Sequence, residues 1–245
     1  MNFQSEEQRR LKAGENVTLM CTAEGGNPPP SLWWSNQAGH KLNASQEYDS
    51  ALQLTRNAYT TSLRGEDNEA VYECASQNRE NATVLRKSIA LHVDYPPSNV
   101  YLYGSTTVRK GETVIVTCAS APSAPASKIT WLVDGKPTRL QAQAEKKQTK
   151  GVVTESNITV DSGAMLLSGQ HQIQVECVAE NGEGKPASNI HVIRVLSPPS
   201  QPVIFEPPDA NFALLEGNQM NLTCEAQGGH PLPTLSWYRG IEKVS

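Results

Sequence analysis

The same local pattern occurs three times along the 245 residues of the chain. In each copy, a glycine and an alternating apolar segment lead to a cysteine, and a tryptophan follows thirteen positions later. The three copies are Cys21 with Trp34, Cys118 with Trp131, and Cys224 with Trp237. Successive copies are about 100 residues apart, which is too long for solenoid repeats. This spacing predicts tandem domains of ordinary size.

Two pairs of prolines separate the copies of the pattern. Pro96-Pro97 follows the first copy and Pro198-Pro199 follows the second. Proline fixes φ and restricts the preceding residue to extended conformations, so linkers this short are stiff. We therefore expect a semi-rigid rod of three domains, placed at 1–94, 97–197 and 201–245.

Apolar residues alternate along the segments that lead to the cysteines. Leu19 and Cys21 share one face of the first such segment, and Val116 and Cys118 share one face of the second. A period of two indicates half-buried strands, and short strands between glycine- and proline-rich turns indicate an antiparallel β-sandwich. The charged segment 139–150 lacks an apolar stripe, so we expect a solvated loop or an edge strand there rather than a helix.

A second cysteine follows each of the first two tryptophans, at Cys74 and Cys177. The order Cys…Trp…Cys resembles the immunoglobulin superfamily, and the segment from Asn68 to Cys74 is similar to its Asp-x-Gly-x-Tyr-x-Cys corner, with Tyr72 as the corner tyrosine. Val175 replaces that tyrosine in the second domain, which resembles a C2-type variant.

The resemblance implies an all-β fold of tandem immunoglobulin-like sandwiches of the I-set or C2 type, with the third domain truncated. It also implies two disulfides that join the sheets of the first two domains, Cys21 with Cys74 and Cys118 with Cys177. Cys224 is then left unpaired.

Joints and turns carry a narrower resemblance, to nephrin-type ectodomains, the group with nephrin, sticks-and-stones and hibris. The matching segments are Asp94–Val100, Cys118–Ala126 with Ile129–Gly135, and the Gly-Gly-x-Pro-x-Pro turns. The resemblance implies a cell-surface adhesion receptor at cell junctions that binds other immunoglobulin-superfamily proteins on apposed cells, heterophilically or homophilically. Nephrin-type proteins bind chiefly through their amino-terminal domain, whereas this turn resembles an interior repeat. The chief partner site is therefore expected outside this chain.

The third copy of the pattern stops soon after its tryptophan, without a second cysteine. Since an immunoglobulin core needs side chains from both sheets, we expect residues 201–245 to be disordered or only locally structured. The chain begins without an apolar signal-peptide core and contains no run of about 18 apolar residues. We interpret it as an extracellular piece of a longer receptor, anchored to the membrane through segments outside this chain.

Five Asn-x-Ser/Thr triplets offer acceptors for N-linked glycans: Asn16, Asn43, Asn81, Asn157 and Asn221. Chance at this composition gives about 2.5 such triplets, so the number alone is a weak signal. Asn16 and Asn221 lie at odd offsets from the next cysteine and are expected to point away from the core. The alternative is that all five are ordinary polar residues. Together with the implied disulfides, the triplets favour an extracellular compartment.

Charge and motifs exclude several functional classes. A net charge of −4 and a pI near 5.8 provide no basic surface for nucleic acid. The five histidines form no metal-ligand pattern, and the sequence has neither a nucleophile elbow nor a phosphate-binding loop. Glu66, Asp67 and Glu69 lack the spacing of a calcium loop. We therefore predict a binding protein, not an enzyme, without cofactor or metal.

Trp33 is the predicted anchor of a partner-binding face. Its two neighbours in the strand point inward, so Trp33 is expected to point outward from the sheet that the immunoglobulin fold builds from strands C, F and G. Glu73 and Gln77 on strand F share that face, with Arg79 near the tip of the F–G hairpin. A solvent-facing tryptophan among polar residues is typical of an interface anchor. The alternative is that Trp33 packs against strand G or the next domain.

A second function stays open on the sequence alone. Immunoglobulin domains also form intracellular structural rods, as in muscle arrays, and such a rod predicts reduced thiols, no glycans and no partner-binding face. Non-reducing mass spectrometry of natively expressed chain separates the two functions.

Overall fold

The structure, a computed structural model, describes residues 10–80, 82–139, 141–186, 188–206 and 213–244. The predicted all-β fold of tandem immunoglobulin-like sandwiches is confirmed. Within the described residues, the helical elements are one 3₁₀ turn, Gly65–Asp67, and one short helix, α1 (Ser162–Met165). No helix in this part of the chain is long and apolar enough to cross a bilayer.

The first sandwich packs two three-stranded antiparallel sheets face to face. Its strands are β1 (Leu11–Lys12), β2 (Asn16–Glu24), β3 (Ser31–Asn36), β4 (Ser45–Asp49), β5 (Leu54–Ser62), β6 (Val71–Gln77), β7 (Leu85–Ala90) and β8 (Val93–Asp94). One sheet has the order β2-β5-β4 and the other β3-β6-β7, while β1 pairs with β8 in parallel. This order places β2 and β6, which carry the two cysteines, in opposite sheets.

Alternating residues of both sheets form the core of the first sandwich. Leu19 and Cys21 of β2 are buried, as the period of two predicts. Trp34 is fully buried between the sheets, and its Nε1 donates a hydrogen bond to the carbonyl oxygen of Asn57 at 3.2 Å. A disulfide joins Cys21 to Cys74 across the core. This pair is the one that the family resemblance implied.

The second sandwich repeats the plan with larger sheets. Its strands are β9 (Val100–Gly104), β10 (Thr107–Arg109), β11 (Thr113–Ser120), β12 (Lys128–Val133), β13 (Lys136–Pro137), β14 (Gln143–Gln148), β15 (Gly151–Asp161), β16 (Gln172–Glu180) and β17 (His191–Pro199). One sheet has the order β14-β15-β11-β9 and the other β10-β17-β16-β12-β13. The charged segment 139–150 supplies β14, which is an edge strand.

The core of the second sandwich matches the first at its centre. A disulfide joins Cys118 of β11 to Cys177 of β16. Trp131 is 2% exposed, and its Nε1 donates to the Oγ of Ser156 at 3.1 Å. Each tryptophan therefore satisfies its single donor inside a core from which water is excluded.

The C-terminal segment forms small paired strands. Its strands are β18 (Val203–Glu206), β19 (Thr223–Glu225), β20 (Gly228–His230), β21 (Trp237–Arg239) and β22 (Glu242–Val244). β18 pairs with β19, β21 pairs with β22, and β20 pairs with β17 of the second sandwich. Leu222 and Leu235 are 51% and 45% exposed, and Cys224 is a free thiol. Within 203–206 and 213–244, no second sheet covers these apolar side chains.

A dense set of polar contacts connects the first sandwich to the second. Tyr95 lies at the joint, where its backbone N–H donates to the carbonyl oxygen of Ala124 at 2.7 Å and its hydroxyl donates to the carbonyl oxygen of Lys150 at 2.6 Å. The Asn68 side chain donates to the same Lys150 oxygen at 2.9 Å, and Asn181 donates to the Tyr95 carbonyl at 2.8 Å. Groups of the second sandwich therefore hold Tyr95, and Asn68 connects the first sandwich to the same Lys150 carbonyl.

Two ion pairs and two glycines complete the joint. Lys12 pairs with Glu183 at 2.9 Å, and Lys147 pairs with Glu69 at 3.4 Å. A Cβ added to Gly65 would lie 2.7 Å from the Tyr95 ring, and one added to Gly151 would overlap the Tyr95 hydroxyl. Tyr95 therefore fits between a glycine of each sandwich, next to the proline pair for which the sequence predicts a stiff joint.

Candidate adhesion surface

The outer face of the β3-β6-β7 sheet centres on Trp33. The Trp33 ring is half-buried and points away from the core, directly opposite Ala75 of β6. Ala75 lies in turn opposite Arg86 of β7 and has no exposed surface. The Nζ of Lys41 lies 4.7 Å from the centroid of the Trp33 ring, within cation–π range. One part of the indole is thus covered by the chain, and the rest is open to a partner.

The predicted polar residues of this face already hold partners within the chain. Glu73 forms an ion pair with Arg86. The Gln77 amide donates to the carbonyl oxygens of Glu80 and Ala82 at 3.0 and 2.9 Å, which closes the β6–β7 hairpin. Their role in this structure is to fix the shape of the face around the tryptophan.

The structure brings together three of the four predicted contact residues. Trp33, Glu73 and Gln77 share the outer face of one sheet. Arg79 lies beyond the strand end, where its Nη2 donates to the carbonyl oxygen of Asn27 at 3.1 Å and connects the hairpin to the β2–β3 loop. Arg79 therefore belongs to the rim of the surface and not to its centre.

Sequence reasoning missed Lys41, which lies over the Trp33 ring, and Arg86, which pairs with Glu73 on the same face. Arg86 could have been found by parity, because Ile89 of the same strand points inward and positions 86 and 88 then point outward. Lys41 reaches Trp33 from the segment after β3, where it forms an isolated bridge with Ser35. No periodicity in the sequence predicts this contact between Lys41 and Trp33.

The equivalent face of the second sandwich differs in chemistry. Thr130 lies opposite Val178, and Leu132 lies opposite Glu176, on β12 and β16. Thr130 is exposed and the other three are half-buried. This face has no aromatic residue at its centre, unlike the face of the first sandwich that carries Trp33.

The corner tyrosine is present in the first sandwich. Tyr72 is buried, packs against Tyr59 with ring centroids 5.9 Å apart, and lies 3.4 Å from the Asp67 carboxylate through its hydroxyl. Burial, and then the nearby Asp67 charge, raise the pKa of Tyr72 to about 12. Val175 fills the matching place in the second sandwich with no exposed surface. The two corners therefore differ in both volume and polarity.

Four of the five glycan acceptors lie on the described surface, and all four are exposed. They are Asn16 on β2, Asn43, Asn157 on β15 and Asn221. Asn81 lies outside the described residues. The two strand positions face away from their cores, so an attached sugar would not disturb the packing.

The acidic residues near the joint have structural roles. Asp67 accepts a hydrogen bond from the backbone N–H of Arg64 at 2.7 Å, and Glu69 pairs with Lys147 of the second sandwich. The hydrogen bond and charge of Glu183 raise the pKa of Lys12. Among the residues that the structure describes, no group of three or more His, Cys, Asp or Glu side chains is placed to bind a metal ion.

Comparisons with known proteins agree with this architecture. A family model described as an immunoglobulin domain matches residues 2–78, and a CD80-like C2-set immunoglobulin domain matches residues 102–183. Mouse nephrin is 27% identical over 237 residues, which cover 96% of this chain and 18% of nephrin. Mouse neural cell adhesion molecule 1 is 30% identical over 230 residues, which cover 92% of this chain and 19% of that protein. The chain thus spans less than a fifth of the length of these curated relatives.

A solved structure shows the same fold across nearly the whole chain. The full ectodomain of mouse nectin-like molecule 4, with its three immunoglobulin domains, superposes with a TM-score of 0.51 at 20% identity, covering 98% of this chain and 83% of that one. Two disulfide-linked sandwiches and two family matches lead to one conclusion: the chain belongs to the immunoglobulin superfamily and is similar to adhesion proteins within it.

Proposed function

We propose that this chain is part of the extracellular region of a cell-surface adhesion receptor. It binds other immunoglobulin-superfamily proteins on apposed cells, heterophilically or homophilically, at cell junctions. It is anchored to the membrane through segments outside this chain, and its domains are 1–94, 97–197 and 201–245. The proposed role is recognition and includes no catalysis and no cofactor.

The observation that carries this proposal is the pair of buried disulfides. Each one joins the two sheets of a sandwich, and all four cysteines are at most 2% exposed. Disulfides form and persist in oxidising compartments and are rare in the cytosol. Exposure of the four described glycan acceptors supports the same compartment, because the transferase that adds N-linked glycans works on secreted chains.

The Trp33 surface supports binding to another protein. Tryptophan is enriched among the residues that dominate binding energy, and such residues lie among near-neutral neighbours that exclude water. The polar residues of this face already have partners within the chain. Glu73 pairs with Arg86, and Lys41 lies over the Trp33 ring. A partner with an apolar recess can therefore cover the indole without desolvating an unpaired charge.

The experiment is a cell-mixing assay with the whole chain displayed on suspended cells through a generic membrane anchor. These cells are mixed with cells that display single immunoglobulin-superfamily ectodomains, including a second copy of this chain. We expect aggregates with at least one ectodomain, through a contact additional to the chief site expected outside this chain. Titration of the soluble chain against that ectodomain should show a loss of affinity of tenfold or more with Trp33→Ser.

The matched control is Met20→Ser. Met20 is 48% exposed on β2, in the opposite sheet of the same sandwich, and its change should leave aggregation intact. Equal loss with both variants would contradict the assigned face. Reduced thiols and unmodified asparagines in chain isolated from its native cells would contradict the extracellular proposal and support the intracellular rod.

A further inference from the structure

The outer face of the β14-β15-β11-β9 sheet carries exposed apolar side chains next to a glycan acceptor. Tyr101, Tyr103 and Ile115 are 44%, 57% and 60% exposed. Tyr101 and Tyr103 occupy the outward positions of β9, because Val100 and Leu102 point into the core. Asn157 points outward from β15 on the same sheet, so acceptor and aromatic rings share one surface.

Strand register puts Asn157 and Tyr103 in one row. Asn157 lies opposite Thr117 of β11, and Thr117 lies opposite Tyr103 of β9. Adjacent strands are about 4.8 Å apart, so the Asn157 and Tyr103 backbones are separated by about 10 Å across a single intervening strand. A short glycan core attached to Asn157 is long enough to cross that one strand.

The intervening strand leaves a trough between the acceptor and the aromatic rings. The next row runs from Glu155 through Ala119 to Tyr101. The two middle positions, Thr117 and Ala119, are small and half-buried. Glu155 is held by an ion pair with Lys146 at 2.6 Å, which fixes the wall of the trough on the side of Asn157.

We propose that the first sugars of an N-linked glycan on Asn157 lie in this trough and pack against Tyr103 and Tyr101. The C–H bonds on one face of a pyranose carry slight positive charge, which suits the negative face of a tyrosine ring. The sugar hydroxyls meanwhile face water and the polar edge of the trough. This inference rests on the proposed function, because the glycan is added only to a chain that enters the secretory compartment.

The acceptor itself argues for a glycan over a second copy of the chain. A branched sugar at Asn157 stands within the patch and keeps a flat protein surface from reaching Tyr103. The first sandwich supplies an internal control, because Asn16 also points outward from a sheet, at the end of the β2–β5 pair. Its neighbours in the sheet are Ser62, and Thr18 with Thr60, so it has no aromatic wall.

The test is a double-variant cycle on the whole chain secreted from glycosylating cells. Thr159→Ala removes the acceptor triplet while keeping Asn157, and Tyr103→Thr removes the ring. We expect loss of the glycan to lower the unfolding temperature by about 3 °C when Tyr103 is present and by less than about 1 °C when it is absent. Thr18→Ala, which removes the Asn16 acceptor, should show no such dependence on Tyr103.

Enzymatic trimming gives the same answer without substitution at Thr159. An endoglycosidase that leaves one N-acetylglucosamine should keep most of the stabilisation, and complete removal by an amidase should lose it. Equal loss with and without Tyr103 would overturn the inference while leaving the extracellular proposal standing. So would an unmodified Asn157 in a chain glycosylated elsewhere, or a dimer that forms through Tyr103 on deglycosylation. Failure of the proposed function would look different, since no acceptor in native material would then carry sugar.

Discussion

The two sandwiches have nearly the same centre and very different surfaces. In both, a disulfide joins the sheets beside a buried tryptophan, with Cα atoms 6.4 and 6.6 Å apart. The aromatic residues to which we assign a role in recognition, however, lie on non-equivalent sheets, although Tyr48 of the β2-β5-β4 sheet is also 42% exposed. Trp33 belongs to the β3-β6-β7 sheet of the first sandwich, whereas Tyr101 and Tyr103 belong to the β14-β15-β11-β9 sheet of the second. The core tolerates few alternatives because it is close-packed, while outward positions are free to diverge between repeats.

The corners show where divergence reaches the core. Tyr72 brings a ring and a hydroxyl to a place that Val175 fills with a small apolar side chain. The first sandwich compensates by placing Asp67 near the hydroxyl. Because the second sandwich has no hydroxyl to satisfy there, its corner needs no such partner.

The largest expected effect comes from removing each disulfide in turn. Replacing Cys21 and Cys74 with alanine should lower the free energy of unfolding of the first sandwich by about 4 kcal/mol, and replacing Cys118 and Cys177 should do nearly the same in the second. The two loops have similar lengths, 53 and 59 residues. Urea titration followed by tryptophan fluorescence measures both. A difference of more than about 2 kcal/mol between the pairs would break the claim that the centres are equivalent.

Exchanging the corner residues should show that the two corners are not interchangeable. Tyr72→Val leaves a cavity and should cost about 3 kcal/mol. Val175→Tyr forces a ring into a fully buried site and should cost about 1–3 kcal/mol. Differential scanning calorimetry on both variants measures the costs. A neutral exchange in either direction would mean that the surrounding core adapts, contrary to the packing described.

The joint should respond more to a methyl group on the second sandwich than on the first. Gly151→Ala meets the Tyr95 hydroxyl and also the Ser123 carbonyl oxygen at 3.1 Å, which is backbone and cannot give way. We expect a cost of about 2 kcal/mol, partly relieved in a Tyr95→Phe background. Gly65→Ala meets only the ring of Tyr95 and should cost about half as much. Small-angle scattering should report a wider spread of angles between the sandwiches for Gly151→Ala. Unchanged scattering would contradict the view that the fit of Tyr95 beside Gly151 fixes their orientation.

The stability of the first sandwich should fall at alkaline pH because of its corner tyrosine, whereas the Val175 corner of the second sandwich has no group that titrates. The pKa of Tyr72 is raised to about 12, above the ordinary value of 10, mainly by burial. Its contribution to stability is therefore complete below pH 10 and is lost as the pH rises toward 12. Tyr72→Phe should flatten this decline, measured by urea unfolding in a Cys224→Ser background that prevents thiol exchange. Burial raises the pKa of Tyr95 as well. The contribution of Tyr72 is therefore the difference between the stability curves measured with and without Tyr72→Phe. If stability falls equally with pH in both variants, the pKa of Tyr72 is not raised by its burial in the corner.

The smallest effects should come from single surface charges. Lys41→Met removes the cation above Trp33 and should cost about 0.5 kcal/mol. Lys146→Met removes the exposed ion pair with Glu155 in the second sandwich and should cost about the same or less. Equilibrium unfolding with matched controls resolves such values. A loss above about 1.5 kcal/mol for Lys41 would mean that this lysine holds the face together and does more than border it.

Sequence alone predicted the parts of the fold that depend on local pattern. The alternation around Cys21 and Cys118 located the central strands, and parity placed Trp33 on an outer face. The same parity would have placed Tyr101 and Tyr103 outward from β9, because they alternate with Val100 and Leu102, yet their meaning depends on Asn157 two strands away. The pattern within a single segment does not predict how that strand is aligned with strands distant in sequence.

The joint was beyond sequence reasoning for a related cause. Asn68 and Lys150 are separated by 82 positions and meet only because the sandwiches adopt one relative orientation. The proline pair predicts a stiff joint at Pro96-Pro97, and the contacts of Tyr95 add restraints there that the sequence does not reveal. At Pro198-Pro199 the chain continues β17 instead, where Pro199 lies opposite Gly228.

The fit of Tyr95 between two glycines bears on how such a protein can change over evolutionary time. Domains that fold independently are often treated as modules that recombination can shuffle. Here the first sandwich supplies Gly65, the second supplies Gly151, and the linker supplies the ring that both must admit. A donor module with any side chain at either position would arrive with a collision at its border. The two sandwiches and their linker are therefore expected to be inherited together, as one exchangeable cassette of about 190 residues, a size within the ordinary range for a single domain.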